Sequence, residues 1–105
     1  MTIVIKVVNL SKRTERRIKT LPKQIAVNLF LWKREIEAHG VEVVKKIPGY
    51  HDEPLQGKLK GFVRSVRLGL GYRLFYRIIE GKVKCLLVED VNRHDYKKIE
   101  RLFEL

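Results

Sequence analysis

The chain has 105 residues, which is enough for one domain with one packed core and too short for two. Apolar residues make up 45% and charged residues 33% of it, a balance that excludes a disordered chain. The formal charge of +11, from 23 Lys and Arg against 12 Asp and Glu, favours a polyanionic partner: nucleic acid, the ribosome, an anionic membrane or an acidic protein. The lone Cys85 excludes an internal disulfide, and the N-terminal apolar run, interrupted by Lys6, is too short for a signal peptide or a membrane span. A cytoplasmic chain is therefore expected.

The first half of the chain predicts one strand and two helices. Residues 3–8 are β-branched and apolar, which favours a strand. Asn9 and Ser11 are candidate caps for a short basic helix predicted at residues 11–21. A second helix is predicted up to Gly40, because apolar residues recur at steps of three or four: Ile25, Leu29, Trp32 and Ile36. We expect these two helices to form a hairpin that lies on a sheet.

The second half predicts three strands and a terminal helix after an irregular segment, 41–61. The strands are placed at 62–68, 72–79 and 82–91, and the helix follows within 92–105. Tight turns at 69–71 and 80–81 imply antiparallel pairing. The predicted fold is α+β, with a helical hairpin packed on a small, mainly antiparallel sheet, in the order β-α-α-β-β-β-α within a single domain, 1–105.

Residues 54–79 contain six basic side chains and no acidic one. Because side chains alternate across a strand, Arg73, Phe75 and Arg77 are predicted to line an open sheet face, with Ser65 and Arg67 beside them. Converging guanidinium groups bind phosphates, and interleaved aromatic residues favour nucleic acid. The remaining basic residues of the stretch are assigned to RNA or phosphate binding with them: Lys58, Lys60 and Arg64.

A polar cluster follows the last predicted strand. It begins with Asn92 and Arg93 and continues as His94-Asp95-Tyr96. Histidine suits acid–base work near neutral pH, Asp95 could orient it or accept a proton, and Tyr96 could stack on a base. The alternative stays open that Asp95 caps the terminal helix, His94 is an exposed loop residue and Tyr96 packs on the core.

Another cluster, residues 50–53, contains a histidine and two acids, but adjacent residues rarely point at one ion. No metal and no cofactor is expected. His51 and its neighbours are assigned to loop ordering or to the rim of the site.

Five motifs in these segments resemble the RelE/ParE superfamily of type II toxin–antitoxin toxins. They are G-Y-H-D-E-P-L-x-G from Gly49, L-x-G-x-L-x-G from Leu55, R-S-x-R-L from Arg64, G-Y-R-x-x-Y from Gly71 and N-x-H-D-Y from Asn92. The RelE/HigB-like mRNA interferases are the subgroup with the most similar pattern. The resemblance implies a RelE-like fold and a ribosome-dependent endoribonuclease in which the 2′-hydroxyl attacks the adjacent phosphate without a metal ion.

The resemblance also implies roles for individual residues. Arg73 matches the family's transition-state arginine, Arg67 a basic site residue on the preceding strand, and Arg93 a phosphate-binding residue. Catalytic roles are implied for three residues after the last strand: His94, Asp95 and Tyr96. Ser65 stands where the RelE branch tends to place a lysine, so the general base stays open between His94 and Asp95.

The resemblance further implies a cognate antitoxin, with which the chain could form a hetero-oligomer, and the ribosome and mRNA as partners, but no membrane. An acidic or amphipathic antitoxin segment would lie over the basic groove or the helical hairpin. Two other functions are compatible with the sequence: a ParE-like inhibitor of DNA gyrase, and a non-catalytic RNA- or ribosome-binding module. The cluster 94–96 favours cleavage over the gyrase inhibitor, because the ParE branch generally lacks it.

Overall fold

The computed structural model describes residues 4–80, 85–93 and 96–103, with the side chains of residues 58, 85 and 96–98 outside that description. Its elements follow the predicted order with two additions, the helix α3 and the strand β2. The strands are β1 (Val8–Leu10), β2 (Glu53–Pro54), β3 (Arg64–Gly69), β4 (Tyr72–Ile79) and β5 (Cys85–Asn92). The helices are α1 (Lys12–Ile18), α2 (Lys23–His39), α3 (Val41–Val44) and α4 (Tyr96–Leu102), with 3₁₀ turns at Pro48–Tyr50 and Gly57–Leu59.

One five-stranded sheet, in the order β1-β5-β4-β3-β2, forms the centre of the domain. The pairing of β1 with β5 is parallel, and the other three pairings are antiparallel. The predicted mainly antiparallel α+β fold is thus confirmed. Pairing of β1 is seen at Val8–Leu10, beyond most of the strand predicted at 3–8.

Local sequence explains where the helices begin and end. The Ser11 hydroxyl accepts a hydrogen bond from the Thr14 amide and so caps α1, as expected for serine at this position. The apolar stripe of α2 is buried as predicted. After His39 the chain turns through Gly40, whose φ of +86° favours glycine and whose missing Cβ would lie 2.5 Å from a Val4 methyl carbon.

The sheet is covered on both faces. On one face, α2 packs over a large apolar core that includes Trp32, Leu74 and Tyr76. On the other face, the segment 55–63 and α4 cover a second, smaller core: Leu55, Leu59, Val63, Phe75 and Ile99. This second core contradicts the predicted open face, because Phe75 is fully buried.

A β-bulge in β5 sets which side chains face each core. Phe75 pairs with Asp90 and Tyr76 with Val88, so Glu89 is the additional residue. Val88 and Val91 consequently share the core beneath α2 although they are three residues apart. Asp90 is left facing the opposite side, where Phe75 lies.

Candidate nucleic-acid interface

Three arginines lie at the end of the sheet next to the β3–β4 turn. Arg67 and Arg73 are direct partners across the hairpin, and Arg73 is the partner of Asn92, which precedes Arg93. Arg67 and Arg93 are exposed. A small hollow of about 260 Å³ lies here, lined by Arg67, Arg73 and residues 69–72. We call Arg67, Arg73 and Arg93 the arginine trio.

The turn brings the trio together because of its backbone. Gly69, Leu70 and Gly71 all have positive φ, of 115°, 50° and 79°, and the register of the hairpin shifts between Arg67 and Gly69. The Arg93 guanidinium lies 5.7 Å from the centre of the Tyr72 ring, a cation–π contact that places it beside the turn.

Arg73 differs from the other two members because only 3% of it is exposed. Its Nε donates to the Ser65 hydroxyl, and its Nη2 donates to the carbonyl oxygens of His51, at 2.8 Å, and Ser65, at 3.3 Å. Glu53 lies 3.7 Å from the same Nη2. The predicted exposure of Arg73 is therefore wrong, because the 51–53 segment folds over it. Ser65, expected on the open face, is fully buried as well.

Arg77 lies apart from the trio, four residues along β4 from Arg73 and therefore about 13 Å away. Its guanidinium lies 5.1 Å from the Phe62 ring centre and 5.6 Å from that of Phe103, and 3.8 Å separates its Nε from Glu89. Burial raises the pKa of Glu89 although Arg77 opposes this. Arg77 is thus partly buried against two aromatic rings and a carboxylate and does not lie on an open sheet face.

Arg64 belongs to a third setting, at the rim of the sheet face that α2 covers. Its Nε lies 2.6 Å from Asp52, whose second oxygen accepts a 2.6 Å hydrogen bond from the Tyr76 hydroxyl. Burial alone would lower the pKa of Arg64, but the hydrogen bond and charge of Asp52 outweigh it and raise that pKa. Burial, and then Asp52, also raise the pKa of Tyr76. Arg64 therefore ties the loop containing Asp52 to β3.

The other predicted site residues are placed as follows. Lys60 is exposed beside the 3₁₀ turn Gly57–Leu59, and the Lys58 side chain lies outside the described residues. His94 and Asp95 also lie outside them. Tyr96 begins α4, but its side chain is not described. These three residues directly follow Arg93 in the sequence.

A buried polar network on β5 was missed by sequence reasoning. Asp90 is fully buried, and its carboxylate lies 3.4 Å from the Arg13 Nε and 3.2 Å from the Arg17 Nε. The Asn92 amide donates to it at 3.1 Å. Two adjacent acidic residues, Glu89 and Asp90, in a mostly apolar predicted strand were the available signal, together with an early helix rich in arginine.

Two further structural findings bear on the site. Within the part of the chain that the structure describes, no group of three or more His, Cys, Asp or Glu side chains could hold a metal ion. Among those same residues, no helix is both long and apolar enough to cross a membrane.

Comparison with known proteins gives structural relatives only. No family model and no curated protein sequence matches the chain. It is similar to a mutant of the E. coli toxin RelE in the free state, with a TM-score of 0.65, 18% identity, and 94% of this chain and 93% of that chain covered. It is also similar to the E. coli DinJ-YafQ toxin-antitoxin complex, with a TM-score of 0.64, 20% identity, and 95% of this chain and 100% of that chain covered. The archaeal RelE-RelB complex from Pyrococcus horikoshii has a TM-score of 0.62 and 19% identity, with 87% of this chain and 96% of that chain covered. The chain thus has the fold of the RelE and YafQ toxins, as its motifs implied.

Proposed function

We propose that this chain is the toxin of a type II toxin–antitoxin system and cleaves mRNA on the ribosome. The observation that carries the proposal is the arginine trio at the sheet end from which the chain continues into His94, Asp95 and Tyr96. The fold and the motifs point to the same class of toxin.

The trio suits the charge changes of RNA cleavage. When the 2′-oxygen attacks the adjacent phosphorus, the phosphate gains negative charge before the bond to the 5′-oxygen breaks. Arg67 and Arg93 are exposed and are the members able to grip the phosphate from solvent. Arg73 also lines the hollow, and its hydrogen bonds to Ser65 and His51 hold its guanidinium in a fixed orientation.

Cleavage also requires two proton transfers. A general base takes the proton of the 2′-hydroxyl, and a general acid gives one to the departing 5′-oxygen, leaving a 2′,3′-cyclic phosphate. We assign these transfers to His94 and Asp95, with Tyr96 placed to stack on a base. In this scheme guanidinium groups neutralise the phosphate, so no metal ion takes part in any step.

The antitoxin partner is proposed to dock beside the trio. A groove of about 340 Å³ lies between α2 and the 3₁₀ turn Pro48–Tyr50, and its lining includes Leu31, Ile47 and Leu68. Arg67 also lines this groove, so it is continuous with the candidate site. An amphipathic segment with apolar residues in the groove and an acidic residue on Arg67 would cover the site and prevent RNA binding.

The experiment that tests the function is expression of the chain in growing cells, followed by primer-extension mapping of mRNA 5′ ends. We expect wild type to produce new ends in register with codons. Arg67→Ala and His94→Ala should each weaken these ends by at least about a hundredfold, because phosphate neutralisation and acid–base catalysis each contribute on that scale.

Arg34→Ala is the matched control, because it removes an exposed arginine of α2 that is distant in sequence from the trio. It should leave the pattern of ends unchanged. Growth arrest with no new RNA ends, but with gyrase stalled on DNA, would overturn the proposal in favour of a gyrase inhibitor.

A further inference from the structure

The first helix carries a second concentration of positive charge. Residues 12–19 include five basic side chains and a single acidic one. Three of the arginines and a threonine line a hollow of about 260 Å³: Arg13, Arg16, Arg17 and Thr20. We call these four residues the α1 patch. They lie outside the 54–79 stretch and outside the arginine trio.

Buried Asp90 fixes the position of the α1 patch. Its carboxylate lies close to the Nε atoms of both Arg13 and Arg17 and offers one negative charge to two guanidinium groups. Asp90 therefore orients two cations without neutralising both. Arg16 adds a further positive charge and is exposed.

The helix is also held rigidly against the sheet. Thr14 is fully buried and its hydroxyl donates to the Val88 carbonyl at 2.9 Å, while the Ser11 hydroxyl donates to the Glu89 carbonyl at 3.0 Å. The α1 patch is thus a preorganised surface on the edge of β5, and less side-chain and backbone freedom is lost when it binds a ligand.

The chemistry of the lining indicates the ligand. It consists mainly of guanidinium groups, which are typical donors to phosphate oxygens, whereas the Thr20 hydroxyl donates to the Arg17 carbonyl. Among the residues that the structure describes, none of those lining this hollow is an apolar or aromatic side chain that could anchor a protein or stack on an unpaired base. Exposed apolar side chains lie on α2 instead, at Val27, Phe30 and Leu31. Double-helical RNA, which is recognised mainly through its backbone and shape, fits this surface better than a protein or a single strand.

The patch and the trio lie along one strand. Asp90 and Arg93 are three residues apart, or about 10 Å at the rise of a β-strand. We infer that the α1 patch binds the backbone phosphates of double-helical RNA next to the strand that is cut. This inference rests on the proposed function, because it supplies that enzyme with a contact to folded RNA beside its substrate.

The test measures binding of the purified chain to a fluorescein-labelled RNA duplex of about 16 base pairs over a series of salt concentrations. Loss of one phosphate contact should weaken duplex binding about fivefold at 0.15 M salt and reduce the slope of log K against log salt by about 0.9. We expect these changes for Arg16→Gln and a larger loss for Arg16→Glu. Arg34→Gln, which removes the same charge from exposed α2, should change neither quantity appreciably.

If the Arg16 variants do not fold, Arg17→Gln tests the same surface. Equal effects of Arg16→Gln and Arg34→Gln would show that only net charge matters and would overturn the inference. An Arg16→Glu variant that binds the duplex normally but loses affinity for the antitoxin would also overturn it, in favour of an acidic protein. The duplex readout requires no cleavage, so a wild-type chain that makes no cuts would refute the proposed function alone.

Discussion

Replacement of Arg73 by alanine should lower the free energy of unfolding, whatever its effect on RNA cleavage. The change removes the donors to the Ser65 hydroxyl and to the carbonyl oxygens of Ser65 and His51. Each buried acceptor left without a donor costs about 1 kcal/mol or more, so we expect a loss of about 3 kcal/mol in the free energy of unfolding. That is a large part of the roughly 5–15 kcal/mol that stabilises an ordinary domain.

Urea unfolding followed by fluorescence measures this loss directly, because Trp32 is the sole tryptophan and is fully buried. With an m-value of about 1.5 kcal/mol per molar urea, the midpoint should fall by about 2 M. Arg67→Ala is the matched control, since Arg67 is exposed and should change stability by no more than about 0.5 kcal/mol. An Arg73→Ala midpoint equal to that of wild type would refute the structural role that we derive for its hydrogen bonds.

Two other predictions concern the phenol of Tyr76 and the apolar groove. Burial and Asp52 raise the pKa of Tyr76 above its ordinary value of 10.0, so the unfolded chain releases this proton first. The contribution of the protonated Tyr76 phenol to the free energy of unfolding is complete below pH 10 and should decline above it by about 1.4 kcal/mol per pH unit. In urea titrations at several pH values, Tyr76→Phe should remove this decline, and a pH slope equal to that of wild type would contradict the prediction. Leu31→Asp places a carboxylate in the groove and should weaken antitoxin binding, measured by calorimetry, by about tenfold. Val43→Asp lies outside the groove lining and should leave the affinity unchanged. Equal losses of affinity in the two variants would mean that the antitoxin does not bind in this groove.

The sequence predicted those elements whose signals are local. The apolar stripe of α2 has helical spacing, and its four predicted core residues are buried. The hairpin of β3 and β4 follows from the glycines at 69 and 71, whose positive φ the turn requires. Neighbours along the chain suffice for such predictions, because the relevant hydrogen bonds and packing lie within one element or one turn.

Burial of the second sheet face could not be predicted in this way. Alternation correctly placed Arg73 and Phe75 on the face opposite Tyr76, but nothing local indicated that segment 55–63 and α4 would cover that face. Phe75 is consequently buried, Arg73 is a buried donor beneath segment 51–53, and Arg77 lies over two phenylalanine rings that contact each other. Of the predicted phosphate contacts, Lys60, Arg67 and Arg93 are exposed, while the roles of the residues at 94–96 stay predictions.

The bulge at Glu89 has a consequence for changes in chain length. Because Glu89 is the additional residue of β5, its removal would restore the regular alternation and leave Asp90 opposite Phe75 and Val91 opposite Leu74. Insertion of one residue after Asp90 would instead reverse the faces of Val91 and Asn92 and turn Asn92 toward the apolar core under α2. Such an insertion should therefore be far more harmful than one in the exposed loop near Gly57, where the chain has room to adjust. The bulge is thus a place where β5 can lose one residue and keep the same side chains on each face of the sheet.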